Sequence, residues 1–247
     1  MPLANFSKLQ SNTPKDTYVE IKTGKQTIVQ ILDKEAVELH RHWVVDGSGK
    51  RFSVRCIGPS CPYCVRNASV GYNRDHPDYV PIQRRYAINV LDLTPARLCP
   101  SCGTANPAGA QFCESPTCHA DLREVEPAPL KKVKILERGR RLFEQLSALE
   151  GMPNPMAGGK MVPIQNYPIM LVANGEGTDM TILTVPLPPN DINPDEWEKL
   201  DPSKSFTLTV DELKYLMSGG VLSDILAQRR ASRDTAQPKV TEEEVPF

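Results

Sequence analysis

The sequence of 247 residues has no run of about twenty apolar residues, the length that a helix needs to cross a lipid bilayer. Its first residues also lack the basic start and the apolar stretch of a secretory signal. These two absences favour a protein of the cytoplasm, or of the host cytoplasm if the chain is viral, with no membrane partner.

Motifs of catalysis are scarce as well. We find no clustered acidic motif and no metal site with an open position, which argues against a zinc-dependent nuclease, although scattered carboxylates can converge in a folded chain. A glycine-rich loop at residues 174–178 lacks the Lys-Ser/Thr pair of a phosphate-binding loop and is flanked by strand-like runs, so it predicts a hairpin turn. We therefore expect a binding protein rather than an enzyme.

All seven cysteines lie between residues 56 and 118, in two clusters that each contain a Cys-x-x-Cys pair. In a reducing compartment such spacing is typical of zinc ligands rather than of disulfides. The second cluster supplies a complete tetrahedral set, Cys99, Cys102, Cys113 and Cys118, with His119 as a rival to Cys118. Four protein ligands leave no position for a reactive water, so this site should be structural.

The first cluster supplies only three sulfurs, those of Cys56, Cys61 and Cys64. The candidates for a fourth ligand are His40, His42 and His76. His40 and His42 lie on the same face of a predicted strand that is antiparallel to the strand delivering Cys56, so either side chain can approach the site. The sequence thus predicts two zinc ions per chain and leaves one ligand open.

The net charge of -1 hides an uneven distribution. Residues 41–85 contain eight basic residues against three acids, and residues 123–141 contain seven against three. The last six residues are Glu242, Glu243, Glu244, Val245, Pro246 and Phe247. A basic centre and an acidic end favour an anionic partner for the centre.

Hydrophobic periodicity and turn residues predict a mainly β fold with peripheral helices. Apolar residues from Val19 to Leu32 predict one or two strands around a turn at Gly24, although the second run can also begin a short helix. The other predicted strands are Val37 to Val45 and Phe52 to Ile57 as one hairpin, Tyr86 to Leu93, Leu130 to Leu136, and Ile164 to Val172 with Met180 to Val185 as a second hairpin. The predicted helices are Arg138 to Leu149, Asp211 to Met217 and Val221 to Arg230. Strands and hairpins in this proportion suggest a small barrel or sandwich of the oligonucleotide-binding (OB) kind.

The same signals divide the chain into segments. We predict a flexible arm at 1–17, an OB-like core at 18–97 and 123–230, an inserted zinc ribbon at 98–122, and a disordered acidic tail at 231–247. The ribbon interrupts the core between two strands that we expect in one sheet.

Two family resemblances sharpen this interpretation. Residues 99–113 resemble the zinc-ribbon family, with a Cys-Pro-x-Cys-Gly knuckle, a Gly-Ala turn and an aromatic residue before the third ligand. The motif order His-Trp-Val at 42–44, Val-Arg-Cys at 54–56, Cys-Pro-Tyr-Cys at 61–64 and Arg-Tyr-Ala-Ile-Asn-Val-Leu-Asp at 85–92 resembles the T-even-type phage single-stranded DNA-binding proteins. The later Val-Lys-Ile-Leu run at 133–136, its following helix and the second hairpin extend this similarity over about residues 18–190.

The phage-type resemblance implies an OB-like barrel with a zinc site of one histidine and three cysteines that stabilises one wing of a DNA cleft. By its place before Trp43, His42 takes the ligand role in that pattern. The chain departs from the family in its inserted ribbon and in an N-terminal arm without a dense Lys/Arg and Ser/Thr motif. Its acidic end instead resembles the tip of bacterial single-stranded DNA-binding proteins, which implies docking of replication or repair proteins by residues 242–247.

Binding of single-stranded DNA requires basic side chains for the phosphates and rings for the bases. The candidates in the basic regions are Arg41, Trp43, Lys50, Arg51, Arg55, Tyr72, Arg84, Arg85, Tyr86, Lys131, Lys132 and Lys134. Arg84, Arg85 and Tyr86 are the strongest of these, because they begin the best strand. We expect a single-stranded DNA-binding protein of replication, recombination or repair; the alternative is a zinc-ribbon transcription or polymerase-associated factor.

Overall fold

The computed structural model describes residues 17–175, 180–203 and 207–236. These residues form two compact units, one within 17–39 and 84–203 and the other within 40–83 and 207–236. The described residues are mainly β, in antiparallel sheets with few helices, as the sequence predicts.

The strands of the described residues are β1 (Gln26–Ile31), β2 (Val37–Val45), β3 (Arg51–Arg55), β4 (Ile82–Asp92), β5 (Pro95–Leu98), β6 (Ala105–Pro107), β7 (Ala128–Pro129), β8 (Lys132–Arg138), β9 (Ile169–Asn174) and β10 (Thr181–Pro186). The helices are α1 (Pro62–Ser69), α2 (Arg140–Glu150), α3 (Val210–Met217) and α4 (Leu222–Ala236). Both predicted hairpins are confirmed as β2 with β3 and β9 with β10. The turn of the second hairpin includes residues 176–179, which lie outside the described residues.

The first unit contains an antiparallel sheet in the order β10-β9-β1-β4-β8. Alternate residues of β9 are buried, namely Ile169, Leu171 and Ala173, as a half-buried strand requires. The predicted helix is confirmed as α2, which packs Leu142 and Leu146 on the same core. These pairings do not establish closure of the sheet into a barrel, so the OB-like architecture stays a prediction.

A second, three-stranded sheet lies in the connection between β4 and β8, in the order β6-β5-β7. Strands β4 and β8 pair directly, with Asp92 opposite Lys132, so the intervening chain is an excursion from one sheet. Its small sheet takes in Pro95–Leu98 and Ala128–Pro129, on both sides of the predicted 98–122 segment. We call residues 95–129 the ribbon.

The second unit joins the β2–β3 hairpin to α1, α3 and α4. The Asp46 carboxylate accepts hydrogen bonds from the backbone N–H groups of Ser48, Lys50 and Leu222, which ties the hairpin turn to the start of α4. The Gly47 N–H also donates to the Gly220 carbonyl at 3.0 Å, and a Cβ at Gly47 would lie only 1.8 Å from the Gly219 oxygen. Glycine at residue 47 therefore allows the two turns to touch.

Two helical features differ from the sequence prediction. Helix α1 was not predicted; Pro62 occupies its first turn, where the missing N–H costs nothing. Helix α4 continues to Ala236, past the predicted start of the tail at residue 231, because residues 231–236 contain neither glycine nor proline. Within the described ranges, no helix is long and apolar enough to span a membrane.

Two candidate metal centres and a basic hairpin face

Four side chains of the second unit converge on one point, and we call them the His42 centre. They are His42 of β2, Cys56 immediately after β3, Cys61 before α1 and Cys64 within α1. The Cys56 N–H donates to the His40 carbonyl at 2.9 Å, which extends the hairpin pairing as far as the ligand. Cys61 and Cys64 are three residues apart at the helix start, so one turn presents both sulfurs on the same side.

The spacing of these atoms fits a tetrahedral ion. His42 Nε2 lies 3.5 Å from Cys61 Sγ and 3.4 Å from Cys64 Sγ, and the sulfurs of Cys56 and Cys64 are 3.4 Å apart. Zinc–sulfur bonds of about 2.3 Å place the corners of a tetrahedron about 3.8 Å apart, close to these values. The four side chains can therefore hold one metal ion.

The protonation of the thiols indicates what the site requires. The hydrogen bond between the side chains of Cys61 and Cys56 lowers the pKa of Cys61 to about 3 and raises the pKa of Cys56. Burial raises the pKa of Cys64. The protein alone thus favours one thiolate and resists others beside it, and a divalent cation would offset that repulsion.

The three candidate histidines have different surroundings. His42 is fully buried, and its Nδ1 has no hydrogen-bond partner among the described residues. His40 is exposed, and His76 uses its Nδ1 to accept from the Asp78 N–H at 3.1 Å. Of these three histidines, only His42 joins the cysteines.

The second candidate site, which we call the ribbon centre, consists of Cys99, Cys102, Cys113 and Cys118. Sulfur–sulfur distances are 3.5 Å between Cys99 and Cys118 and 3.6 Å between Cys102 and Cys113, again near tetrahedral values. His119 is exposed and does not belong to the group.

Backbone geometry explains how the ribbon presents its first pair of sulfurs. The Cys99 N–H donates to the Thr104 carbonyl, and the Gly103 N–H donates to the Cys99 carbonyl. Gly103 has a φ of 70°, which glycine adopts without strain. A hydrogen bond with the Thr104 hydroxyl lowers the pKa of Cys102 to about 6, and burial raises the pKa of Cys113.

Directly behind the His42 centre, the β2–β3 hairpin presents a basic surface. The register pairs Arg41 with Arg55, Trp43 with Ser53, and Val45 with Arg51. Paired residues of antiparallel strands share a face, so these six side chains share one face, which we call the hairpin face. His42, Val44 and Val54 lie on the opposite face and are buried. Strand alternation thus places the candidate ligand His42 and the half-buried ring of Trp43 on opposite faces of the hairpin.

Two other predicted DNA-binding residues of this unit are exposed. Lys50 lies in the hairpin turn, and Tyr72 is 56% exposed with a φ of 55°. They extend the exposed basic and aromatic surface of the unit, although they do not belong to the hairpin face.

The strongest predicted trio does not form one surface. Arg84 and Tyr86 alternate with Arg85 along β4, so Arg85 points to the opposite face of the sheet. Arg84 pairs with Glu38 at 3.2 Å, and the Tyr86 ring packs on Phe143 with centroids 5.6 Å apart. Tyr86 therefore serves packing against α2.

The predicted lysines near β8 also divide. Lys131 and Lys132 are exposed, whereas Lys134 is largely buried and donates to the Asp92 carboxylate at 2.7 Å. A lysine held in this way is occupied by its carboxylate partner. The predicted partner-docking residues 242–247 lie outside the described residues.

The sequence prediction missed side chains that support the His42 centre. Tyr63 is buried with its ring centroid 5.5 Å from that of His42, and burial raises its pKa to about 12. Asn67 donates through Nδ2 to the Val80 carbonyl and accepts from the Val80 N–H, both at 2.8 Å. The helical spacing of Tyr63 and Asn67 was the sequence signal that could have identified them. Their contacts fix α1 beside the candidate metal ligands.

Comparison with models of known protein families matched none of them, and no curated protein is similar in sequence.

Proposed function

We propose that this chain is a non-catalytic single-stranded DNA-binding protein of the T-even phage type, which coats exposed strands during replication, recombination or repair. The observation that carries the proposal is the hairpin face, on which three arginines surround a tryptophan. This combination supplies cations for phosphates and a ring for bases on one small surface.

The layout of the hairpin face supports a strand passing along it. Trp43 and Ser53 form the middle pair, with a pair containing arginine on either side. Neighbouring pairs on one face are two residues apart, or about 7 Å along a strand. A base stacked on Trp43 would thus have its flanking phosphates within reach of Arg41 and Arg55 on one side and Arg51 on the other.

We further propose zinc as the ion of both centres, because sulfur and imidazole ligands in tetrahedral groups of four are those that zinc prefers. When bound, the ion supplies a cross-link and neutralises the thiolates, with no open position for a reactive water. In the His42 centre it would join β2, β3 and α1, and so would hold the hairpin face in one shape.

An equilibrium titration with oligo-dT tests the DNA proposal. We expect tighter binding to oligo-dT than to duplex DNA of the same length. The affinity for oligo-dT should fall as the salt concentration increases. Equal affinity for both forms without dependence on salt would refute the coating function and would leave the zinc-ribbon transcription or polymerase-associated factor as the better hypothesis. An oligo-U arm measures preference between DNA and RNA.

For the acidic end we propose that residues 242–247 recruit replication or repair proteins. A Phe ring that follows three acidic residues suits an apolar pocket with a basic rim. Deleting these six residues should leave oligo-dT binding unchanged or tighter while abolishing binding to such partners. Weaker DNA binding after the deletion would contradict this role.

A further inference from the structure

The two candidate metal centres differ in how their sulfurs are shielded from solvent. In the His42 centre, Cys61 is fully buried and Cys56 and Cys64 are partly buried. In the ribbon centre, Cys113 is 2% exposed, whereas Cys102 lies at the surface. Because thiolate oxidation requires contact with the oxidant, a solute in water reaches the ribbon centre first.

The sulfur of Cys113 lies close enough to react with an oxidised Cys102. The sulfurs of Cys102 and Cys113 are 3.6 Å apart, and Asn106 Nδ2 donates to the Cys113 sulfur at 3.8 Å. The buried Cys113 sulfur thus lies beside the exposed Cys102 sulfur. Such an arrangement of an accessible thiol beside a resolving thiol is typical of cysteines that oxidise reversibly.

We propose that Cys102 and Cys113 form an oxidant-sensitive pair, which hydrogen peroxide converts to a disulfide with release of the ribbon metal. The Cys102 thiolate attacks the O–O bond, takes one oxygen as a sulfenic acid and expels hydroxide. The Cys113 thiolate then attacks the Cys102 sulfur, forms the S–S bond and expels a second hydroxide. Two thiolates lose two electrons in total, and the peroxide with two protons becomes two waters.

Loss of the metal should unfold the ribbon and leave the main sheet intact. The hydrophobic cluster of the ribbon has three buried members, Cys99, Cys113 and Leu122, and two of them are candidate metal ligands, so burial alone is too little to fold it. Strands β4 and β8 keep seven directly opposed residue pairs without it. The inference rests on the proposed metal occupancy of the ribbon centre, and it does not depend on DNA binding.

The test uses the full chain after metal analysis has established two zinc ions. Hydrogen peroxide is added in steps, released zinc is followed with a chromogenic chelator, and cysteines are mapped by differential alkylation and mass spectrometry. We expect one zinc per chain to leave first, together with a Cys102–Cys113 cross-link, and dithiothreitol with zinc to reverse both changes.

Two variants that each remove one ribbon ligand serve as a matched pair. Cys102→Ser should abolish the cross-link, whereas Cys118→Ser should leave Cys102 and Cys113 able to form it. The inference fails if Cys56 or Cys64 oxidises first, if both zinc ions leave together, or if zinc leaves without the cross-link in the unmodified chain. Oligo-dT binding measured on the same samples separates this outcome from failure of the DNA proposal.

Discussion

His42 and Trp43 are consecutive residues of β2 that serve opposite faces of the hairpin. His42 is fully buried with Nε2 3.4 Å from Cys64 Sγ, and Trp43 lies opposite Ser53 on the hairpin face. A metal ion held by His42 would therefore fix the backbone from which the Trp43 ring projects. The residue proposed to bind the metal and the residue proposed to stack on a base are thus neighbours in the chain.

The first prediction concerns the fourth ligand of the His42 centre. His42→Ala should weaken zinc binding at this centre by more than about tenfold, since even second-layer changes at metal sites cost this much. His40→Ala is the matched control, because His40 lies on the same strand but is exposed. Metal analysis after dialysis against a weak chelator should give one zinc for the first variant and two for the second; equal values would reassign the ligand.

Removal of the Trp43 ring tests base stacking. Trp43→Ala should weaken oligo-dT binding by about 5- to 150-fold, the equivalent of 1–3 kcal/mol for one stacked base. Trp43→Phe keeps a stacking ring and should retain most of the affinity. The chain has a second tryptophan, Trp197, so Trp197→Phe isolates the Trp43 emission, which oligo-dT should quench. Unchanged affinity in the alanine variant would remove Trp43 from the interface.

Arg51 tests the electrostatic part of the same interface. It is exposed and lies opposite Val45 at the turn end of the hairpin face. Arg51→Ala should reduce the slope of log affinity against log salt by about 0.7 for one lost phosphate contact on a single strand. Arg140 is an exposed arginine on α2, and Arg140→Ala should leave the slope unchanged. An equal loss in both variants would indicate a general charge effect.

Local spacing in the sequence predicted the two groups of cysteines, because ligands of a small metal site lie close along the chain. Period-two alternation also predicted that His40 and His42 lie on the same face of their strand, and it left open which of them joins the cysteines. By contrast, Tyr86 contacts Phe143, which lies 57 positions away in the chain, and no local sequence pattern predicts such a contact. Adjacent candidates such as Arg84 and Arg85 were grouped by sequence, although strand geometry separates them.

The direct pairing of β4 with β8 predicts that the ribbon can be removed without loss of the main sheet. Residues 95–130 can be replaced by a short Gly/Asn-rich turn, because Asp92 and Lys132 are already opposite each other. Leu93 and Thr94 are kept, since Leu93 is buried and the Thr94 hydroxyl accepts from the Ile28 N–H. We expect a folded protein with one zinc and unchanged oligo-dT affinity. A loss of affinity in a folded variant would place the ribbon in the DNA interface.

The last prediction concerns the ion pair that joins α3 to α4. Arg229 Nε donates to Glu212 Oε1 at 2.6 Å, and this hydrogen bond lowers the pKa of the Glu212 carboxyl. Because the folded pKa lies below the unfolded value, the pair contributes fully at pH 7, and its contribution is lost only as the pH falls through the folded pKa. Glu212→Gln retains an oxygen for the capping box with Thr209 and removes only the charge.

A double-mutant cycle with Glu212→Gln and Arg229→Gln isolates the pair. At pH 7 with zinc present, urea unfolding followed by helical circular dichroism should give a coupling free energy of about 0.5–1 kcal/mol, which is typical of a partly exposed ion pair. The coupling should decrease at high salt, because ions screen exposed charges. A coupling near zero at low salt would mean that the Asp46 and Gly220 contacts, rather than this pair, hold the C-terminal helices in place.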